Sequence, residues 1–427
     1  MRIPFIKKFD KHSTSSMIIY LGSAQMISNV IRIISGILVA RFVLPEMLGT
    51  FNGIGIIMGY LPILQLGVMN GLNRELPYCF GKGEIEKAKG YASVAQFWEV
   101  ALSSVAFTVL TLIAIYYLFN SQYLYAAGFF SFGLSSIYHY YGQNYLQILF
   151  RTNHDFNKLS NIALIIAFVS LITVGLVWKW QFYGLCIRSI VLIAVEMYFL
   201  WKWKPLFVIP KWNTIRMKEI VKVGMPIFIV GIVYALWTTL QNTMVLKMGG
   251  AEQFGLFALA VMIENSMAIV EHSVSQVIYP KMAYEFGSGK GINELMKISF
   301  KPILFVFIFL IPSVLLAWYI LPFAIKILLP NYMNGIEAAR WTMLLILVAI
   351  WGVNNNIFNV IKKQKDFLIS IIAGMVVFMV ALLGLYNLKG FSLVIFPQAM
   401  LIGKMAQLII AYLFIQNYKR NPNFIKV

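Results

Sequence analysis

Apolar residues in this chain form long, nearly unbroken runs separated by short polar stretches. The runs cover residues 16–40, 51–73, 91–119, 124–150, 159–178 and 184–203, then 223–246, 254–280, 299–325, 338–361, 367–386 and 391–415. Each is about the ~20 residues that a helix needs to cross a bilayer. The pattern predicts an all-α integral membrane protein with twelve transmembrane helices. The run at 124–150 is the least clean, because it is rich in Tyr, Gln and Asn. Ile3, Ile6 and Phe9 beside Lys7, Lys8 and Lys11 fit either a short surface helix or a plain tail, retained because the apolar run that follows is too long for a signal peptide.

Composition agrees with the pattern. Of 427 residues, 60% are hydrophobic and 12% charged, with a mean hydropathy of +0.78. A soluble protein carries roughly 25% charged residues, so a soluble enzyme and a disordered chain are both excluded. The net charge of +19 would suggest a nucleic-acid partner in a soluble protein. Here its distribution gives topology instead. The N-tail, the even-numbered connections and the C-tail hold 26 Lys and Arg, against 6 in the connections on the other side. By the positive-inside rule both termini are expected in the cytoplasm.

A repeat is visible at a constant offset of 206 residues. Glu46, Gly49 and Phe51 match Glu252, Gly255 and Phe257. Without a gap, Tyr78, Phe80, Gly81 and Gly83 then match Tyr284, Phe286, Gly287 and Gly289. Ile57, Ile63 and Val68 also have identical partners, and Arg41 matches Lys247 in charge. Six spans separate the copies, so both halves share one orientation. The expected architecture is two six-helix bundles related by a pseudo-two-fold axis along the membrane normal. They are expected over 1–203 and 223–415, with a cytoplasmic linker at 204–222 and a cytoplasmic tail at 416–427. Such repeats place a substrate site between halves that rock in alternating access.

The stretches Leu44-Pro45-Glu46-Met47-Leu48-Gly49-Thr50-Phe51, Leu66-Gly67-Val68-Met69-Asn70-Gly71-Leu72-Asn73-Arg74-Glu75-Leu76-Pro77 and Gly81-Lys82-Gly83-Glu84-Ile85-Glu86-Lys87-Ala88 resemble the Wzx-type polysaccharide (O-antigen) flippases. These belong to the multidrug/oligosaccharidyl-lipid/polysaccharide exporter superfamily. The resemblance implies movement of an undecaprenyl-diphosphate-linked oligosaccharide across the bacterial inner membrane, coupled to an ion gradient. It also implies a polysaccharide polymerase and a chain-length regulator as partners beside the phospholipid bilayer.

Charges inside a bilayer are costly and normally face a water-filled cavity or a partner. Arg32 and Lys404 fall mid-span, and Arg188 lies nearer the outer end of span 6. Arg41, Lys247 and Arg74 sit at span ends. Cations in these places suit a diphosphate, whose oxygens accept a guanidinium's parallel hydrogen bonds. Pairing with an acid such as Glu196, and snorkelling for the three end residues, are the structural alternatives. Glu264 and Glu271 are seven apart on one face of span 8, beside Asn265, Ser266, His272, Ser273, Ser275 and Gln276. They are the candidate coupling acids, unless they pair with a cavity cation. Glu99 reads as structural. For sugar contact the candidates are Tyr141, Asn144 and Tyr145 in span 4, Gln241 and Asn242 in span 7, and Trp351 and Asn355 in span 10. Amides inside membranes also join helix to helix. Tyr141-Gly142-x-Asn144 and Trp351-Gly352-x-Asn354 form a second correspondence between the halves.

No catalytic constellation, metal-ligand spacing, cofactor motif or Walker sequence appears, and Cys79 and Cys186 fit no redox pattern. A non-enzymatic flippase is the leading expectation. A drug/cation antiporter of the same fold is the first alternative, although it would favour acids in spans 1 and 7. A membrane polymerase or ligase is the second, although the outer loops are short for its chemistry.

Overall fold

In lipid every backbone amide must find its partner within the protein, so a chain with this pattern crosses as helices. The structure, a computed structural model, describes residues 11–420; the N-terminal segment with Ile3, Ile6 and Phe9 lies outside the described residues. Among the described residues there is no strand, and nine helices are individually long and apolar enough to cross a membrane.

The number of crossings is twelve, because elements of the chain divide or join. Span 1 is Lys11–Phe42, span 2 covers 45–82, span 3 is Ile85–Phe119 and span 4 covers 123–152. Spans 5 and 6, at 156–180 and 182–202, reverse direction at Gln181, whose φ of 44° and ψ of −112° leave the helical region. The long helix Thr214–Gly287 is two crossings, spans 7 and 8, joined at Gly250 with φ 76° and ψ −176°. Span 9 is Ile292–Leu328, span 10 covers 330–360, span 11 is Gln364–Lys389 and span 12 is Ile395–Arg420. The outer face of span 9 shows the solvent this surface meets: Phe305, Phe309 and Phe323 are about 70% exposed (74%, 69% and 72%). An apolar face that size is tolerable against lipid and not against water.

The repeat is written into the backbone. After span 2, Gly83 (φ 78°) accepts the left-handed turn; its N–H donates to Phe80 O at 3.1 Å and Glu84 N–H donates to Cys79 O at 2.9 Å. After span 8, Gly289 (φ 89°) does the same, with bonds to Phe286 O at 3.0 Å and from Lys290 to Glu285 O at 3.1 Å. Both are glycine C-caps of the Schellman type, at the positions the 206-residue offset equates.

The described residues fall into two compact units that divide between Ile232 and Val233. The first extends past span 6 because the following segment is pinned to span 3. Ser93 Oγ donates to Ile209 O at 2.5 Å and receives Lys211 N–H at 3.1 Å. Tyr91 OH donates to the Glu219 carboxylate at 2.8 Å, and Gly90 leaves room for the Arg216 guanidinium. Beyond it, the backbone of Gly224 lies so close to span 2 that a Cβ there would sit 1.9 Å from Gly67 O. The core of this unit gathers Leu72, Leu76, Leu149, Phe150 and Ile220. In the second unit, spans 11 and 12 approach through Gly374 and Gly403, with Trp237 wedged against both. Small residues at such crossings let helix backbones come together in lipid.

Three spans depart from the α-helix. Span 2 becomes a 3-10 turn at Leu61–Gln65 and passes through left-handed Leu66 (φ 50°) and Gly67 (φ 77°) before resuming as Val68–Lys82. Span 4 widens to a π-helix at Tyr138–Leu146, and span 10 tightens to a 3-10 helix at Ile350–Asn355. The last two contain the paired Tyr-Gly-x-Asn and Trp-Gly-x-Asn segments.

Candidate functional site

Two clusters of charge stand inside the membrane, one in each unit. In the first, Arg32 of span 1 lies within electrostatic reach of Glu196 on span 6, and Tyr138 of span 4 hydrogen-bonds the Glu196 carboxylate. Arg32 is exposed; Tyr138 and Glu196 are half-buried. The Tyr138 position follows from the π-helix: its wider turn carries Tyr138 toward span 6, away from the face that Tyr141 and Tyr145 share. The sequence offers Glu196 as an alternative partner for Arg188 or Lys404; Arg32 and Tyr138 are the groups beside it.

In the second unit Lys404 is the centre. The close crossing at Gly403 brings span 12 inward, and the ammonium stands 3.8 Å from the ring centre of Tyr234 and 4.7 Å from that of Trp237. Cations are attracted to the faces of such rings, by ~0.5–2 kcal/mol each. Glu271 and Glu264 act on Lys404 from span 8. A cavity of about 170 Å³ opens here, lined by Tyr234, Thr238, Glu264, Asn265, Glu271 and Lys404 with apolar residues of spans 8, 10 and 12. A smaller space of about 50 Å³, which Asn355 and Gln407 help to line, shares Tyr234, Glu271 and Lys404 with it. A cation, two carboxylates, an amide and a phenol therefore meet in one concave, largely apolar setting. Such a setting suits recognition of a charged group with an apolar attachment.

The other sequence candidates are distributed as follows. Arg188 donates to Ser35 Oγ at 2.8 Å and to Ser170 O at 3.4 Å, joining spans 1, 5 and 6. Arg41 and Lys247 are exposed at the ends of spans 1 and 7. Arg74 is exposed with its Nε 4.0 Å from Glu75. Tyr141 and Tyr145 stack at 5.7 Å, and both hydroxyls meet Gln96, at 3.3 and 3.4 Å. Asn144 Nδ2 donates to His139 O at 2.8 Å within the π-helix. Gln241 is fully buried and its Oε1 accepts no hydrogen bond, as is also true of Asn242 Oδ1. Trp351 packs against Phe300 and Phe307. Asn355 alone among the proposed sugar contacts lines the space beside Lys404.

Sequence reasoning did not single out Tyr234, Gln407 or Tyr138 as partners of charge. Tyr234 had a usable signal, since it precedes Thr238 by one helical turn. The offset of 206 equates Thr238 with Arg32.

The family described as "Polysaccharide biosynthesis protein" matches residues 38–336. No curated protein matches the chain. Among solved structures, it is similar to a multidrug resistance MATE family transporter of the MOP superfamily in its inward-facing conformation. The TM-score is 0.77 at 15% identity, over 94% of this chain and 99% of that one. The outward-facing conformation of such a transporter gives 0.67 at 15% identity, over 95% and 96%. A MOP superfamily transporter from Pyrococcus furiosus, described as having a binding pocket of reverse polarity that suggests a different function, gives 0.64 at 16% identity, over 94% and 95%. At these identities the likeness establishes the fold: twelve membrane-spanning helices in two bundles.

Proposed function

The chain belongs to the polysaccharide biosynthesis protein family, and we propose that it is an alternating-access flippase for a lipid-linked oligosaccharide carried on a diphosphate. It is a multi-pass membrane protein with a MOP-superfamily transporter fold. The observation that carries the reading is the presence of a mid-membrane cation in each unit, Arg32 and Lys404, held beside a tyrosine and within reach of acids.

A diphosphate that leaves water loses its hydration, and a cation in a low-dielectric setting replaces part of it. Before substrate arrives, Glu196 faces Arg32, and Glu264 and Glu271 both face Lys404. The substrate's phosphates exchange for the carboxylates. A displaced carboxylate in a space of this size is then free to take up a proton, which links substrate movement to an ion gradient. Asn355, Gln407 and Thr238 supply hydrogen bonds of the kind that sugars accept and donate. In this reading the protein sits in the bacterial inner membrane with both termini cytoplasmic. It collects an O-antigen or similar polysaccharide repeat unit, made as the undecaprenyl-diphosphate form, and passes it to a polysaccharide polymerase with its chain-length regulator.

A drug/cation antiporter is the second reading. It is favoured by one observation: the cavity of the second unit holds two carboxylates against a single lysine. Deleting the protein separates the two. The flippase reading expects loss of surface polysaccharide and accumulation of its lipid-linked unit, restored by the wild-type chain and not by Lys404→Met. Intact polysaccharide with raised sensitivity to organic cations would favour the antiporter.

A further inference from the structure

Glu99, in the middle of span 3, is not part of either charged cluster. It is 0% exposed, and neither carboxyl oxygen has a hydrogen-bond partner. Two groups face it. Gln65, at the end of the 3-10 turn of span 2, brings its side chain alongside but outside hydrogen-bonding geometry, and Gln65 Nε2 is itself buried and unbonded. Tyr140, from the π-helix of span 4, lies within electrostatic reach of Glu99 and donates its hydroxyl to Leu61 O at 2.7 Å. No charged side chain among the described residues acts on it.

These groups meet at the break in span 2. Leu61 O, on the first residue of the 3-10 turn, accepts the Tyr140 hydroxyl and so ties the break to span 4. The left-handed residues Leu66 and Gly67 follow directly. A non-glycine residue in that region is costly and persists only where the surrounding contacts hold it. A carboxylate is an acceptor only and needs donors; a carboxylic acid is a donor as well and is tolerated among neutral groups. The surroundings of Glu99 offer one idle amide and no cation, so they fit the acid. Ionising Glu99 in place would demand that Gln65 Nε2 swing in, or that water enter, and either moves residues 61–67.

We propose that Glu99 is a proton-binding site, separate from the Lys404 cavity, whose occupancy sets the conformation of the break in span 2. With the proton bound, the 3-10 turn stays closed over the carboxyl and capped by Tyr140. When the turn opens to water, the proton leaves to solvent as hydronium and the carboxylate remains hydrated. The exchange is with water and needs no co-reactant.

The test uses the full-length protein in lipid nanodiscs without substrate, so its outcome does not depend on what the protein carries. Infrared difference spectra across a pH titration are compared for wild type, Glu99→Gln, Glu99→Asp, Glu264→Gln and Glu271→Gln. A protonated-acid carbonyl band should vanish in Glu99→Gln, shift in Glu99→Asp and persist in the other two. Hydrogen exchange at residues 61–67, corrected for its intrinsic pH dependence, should rise with pH in wild type and stay flat in Glu99→Gln. If Glu99→Gln does not fold, the band shift in Glu99→Asp makes the assignment and the wild-type titration supplies the exchange result. Absence of any band that responds to position 99 overturns the proposal. So does a pH response at 61–67 that survives in Glu99→Gln, or one that follows sodium instead of pH.

Discussion

Spans 2 and 8 hold equivalent places in the repeat, yet one is broken and the other runs unbroken from 251 to 287. The cause is local. Pro62 lacks a backbone N–H and cannot continue the hydrogen-bond ladder, whereas its equivalent is Ala268. Gly67 takes φ 77°, and its equivalent is Ser273 in ordinary helix. The same offset turns Gln65 into Glu271 and Glu99 into Phe305. The first unit therefore seals an acid on span 3, against an amide at a helix break, and keeps its other one, Glu196, beside Arg32. The second unit puts its acids on the intact span 8, in an open cavity opposite Lys404, and presents Phe305 to lipid. One scaffold thus offers two ways to hold a carboxyl in a membrane: without a charged partner in a closed pocket, or balanced by a cation in a cavity.

The comparison can be broken most forcefully at its glycine. In Gly67→Ala a Cβ would lie 2.8 Å from Gly224 C in a left-handed conformation. Overpacking of that kind costs ~1–3 kcal/mol, and the left-handed strain adds ~1–2 kcal/mol. Thermal unfolding in nanodiscs should show a large loss. Ser273→Ala, at the equivalent position, should stay within ~0.5 kcal/mol of wild type. Equal effects would mean that the break in span 2 is not held by this contact.

Next comes the cap. Tyr140→Phe removes the side-chain hydrogen bond to Leu61 O, at a cost of ~0.5–1.5 kcal/mol. It should also raise hydrogen exchange across residues 61–67. Unchanged exchange would show that the broken segment does not depend on span 4.

A comparable effect is expected in the second unit. Tyr234→Leu removes one of the two ring faces beside Lys404, worth ~0.5–2 kcal/mol, while Tyr234→Phe keeps the ring and should be close to neutral. A titration of proton release from the Lys404 cavity would distinguish them. If both variants behave alike, the Tyr234 ring does not hold the lysine.

Much of this was legible in the chain. Twelve apolar runs fixed the count of crossings, and even the join of spans 7 and 8 at Gly250 lies between two of them. The repeat at Gly83 and Gly289 reappears as two identical glycine caps. Lys404, Glu264 and Glu271 were separately conspicuous as charges in apolar runs, and the fold brings them to one cavity. What the sequence hid were pairings across spans. Glu196 is eight residues from Arg188, but the π-helix turns Tyr138 toward it and span 1 supplies Arg32. Tyr138, Tyr141 and Tyr145 have the spacing of one α-helical face, and a wider helix divides them. Glu99 read as structural because it falls near the cytoplasmic third of the apolar run of span 3. Its burial against a broken helix could be seen only in three dimensions.

The central claim is that the mid-membrane cation of each unit, Arg32 in the first and Lys404 in the second, serves diphosphate recognition. Binding to the purified protein in nanodiscs tests it, with a polyprenyl-diphosphate-linked oligosaccharide and a lipophilic organic cation as the two ligands. Hydrogen bonds to charged groups contribute ~1.5–3 kcal/mol, or roughly 10- to 100-fold in affinity. The account predicts that the diphosphate lipid binds and that Arg32→Met and Lys404→Met each weaken it by about that factor. Binding of the organic cation instead, lost in Glu264→Gln and Glu271→Gln and kept in Lys404→Met, would contradict it.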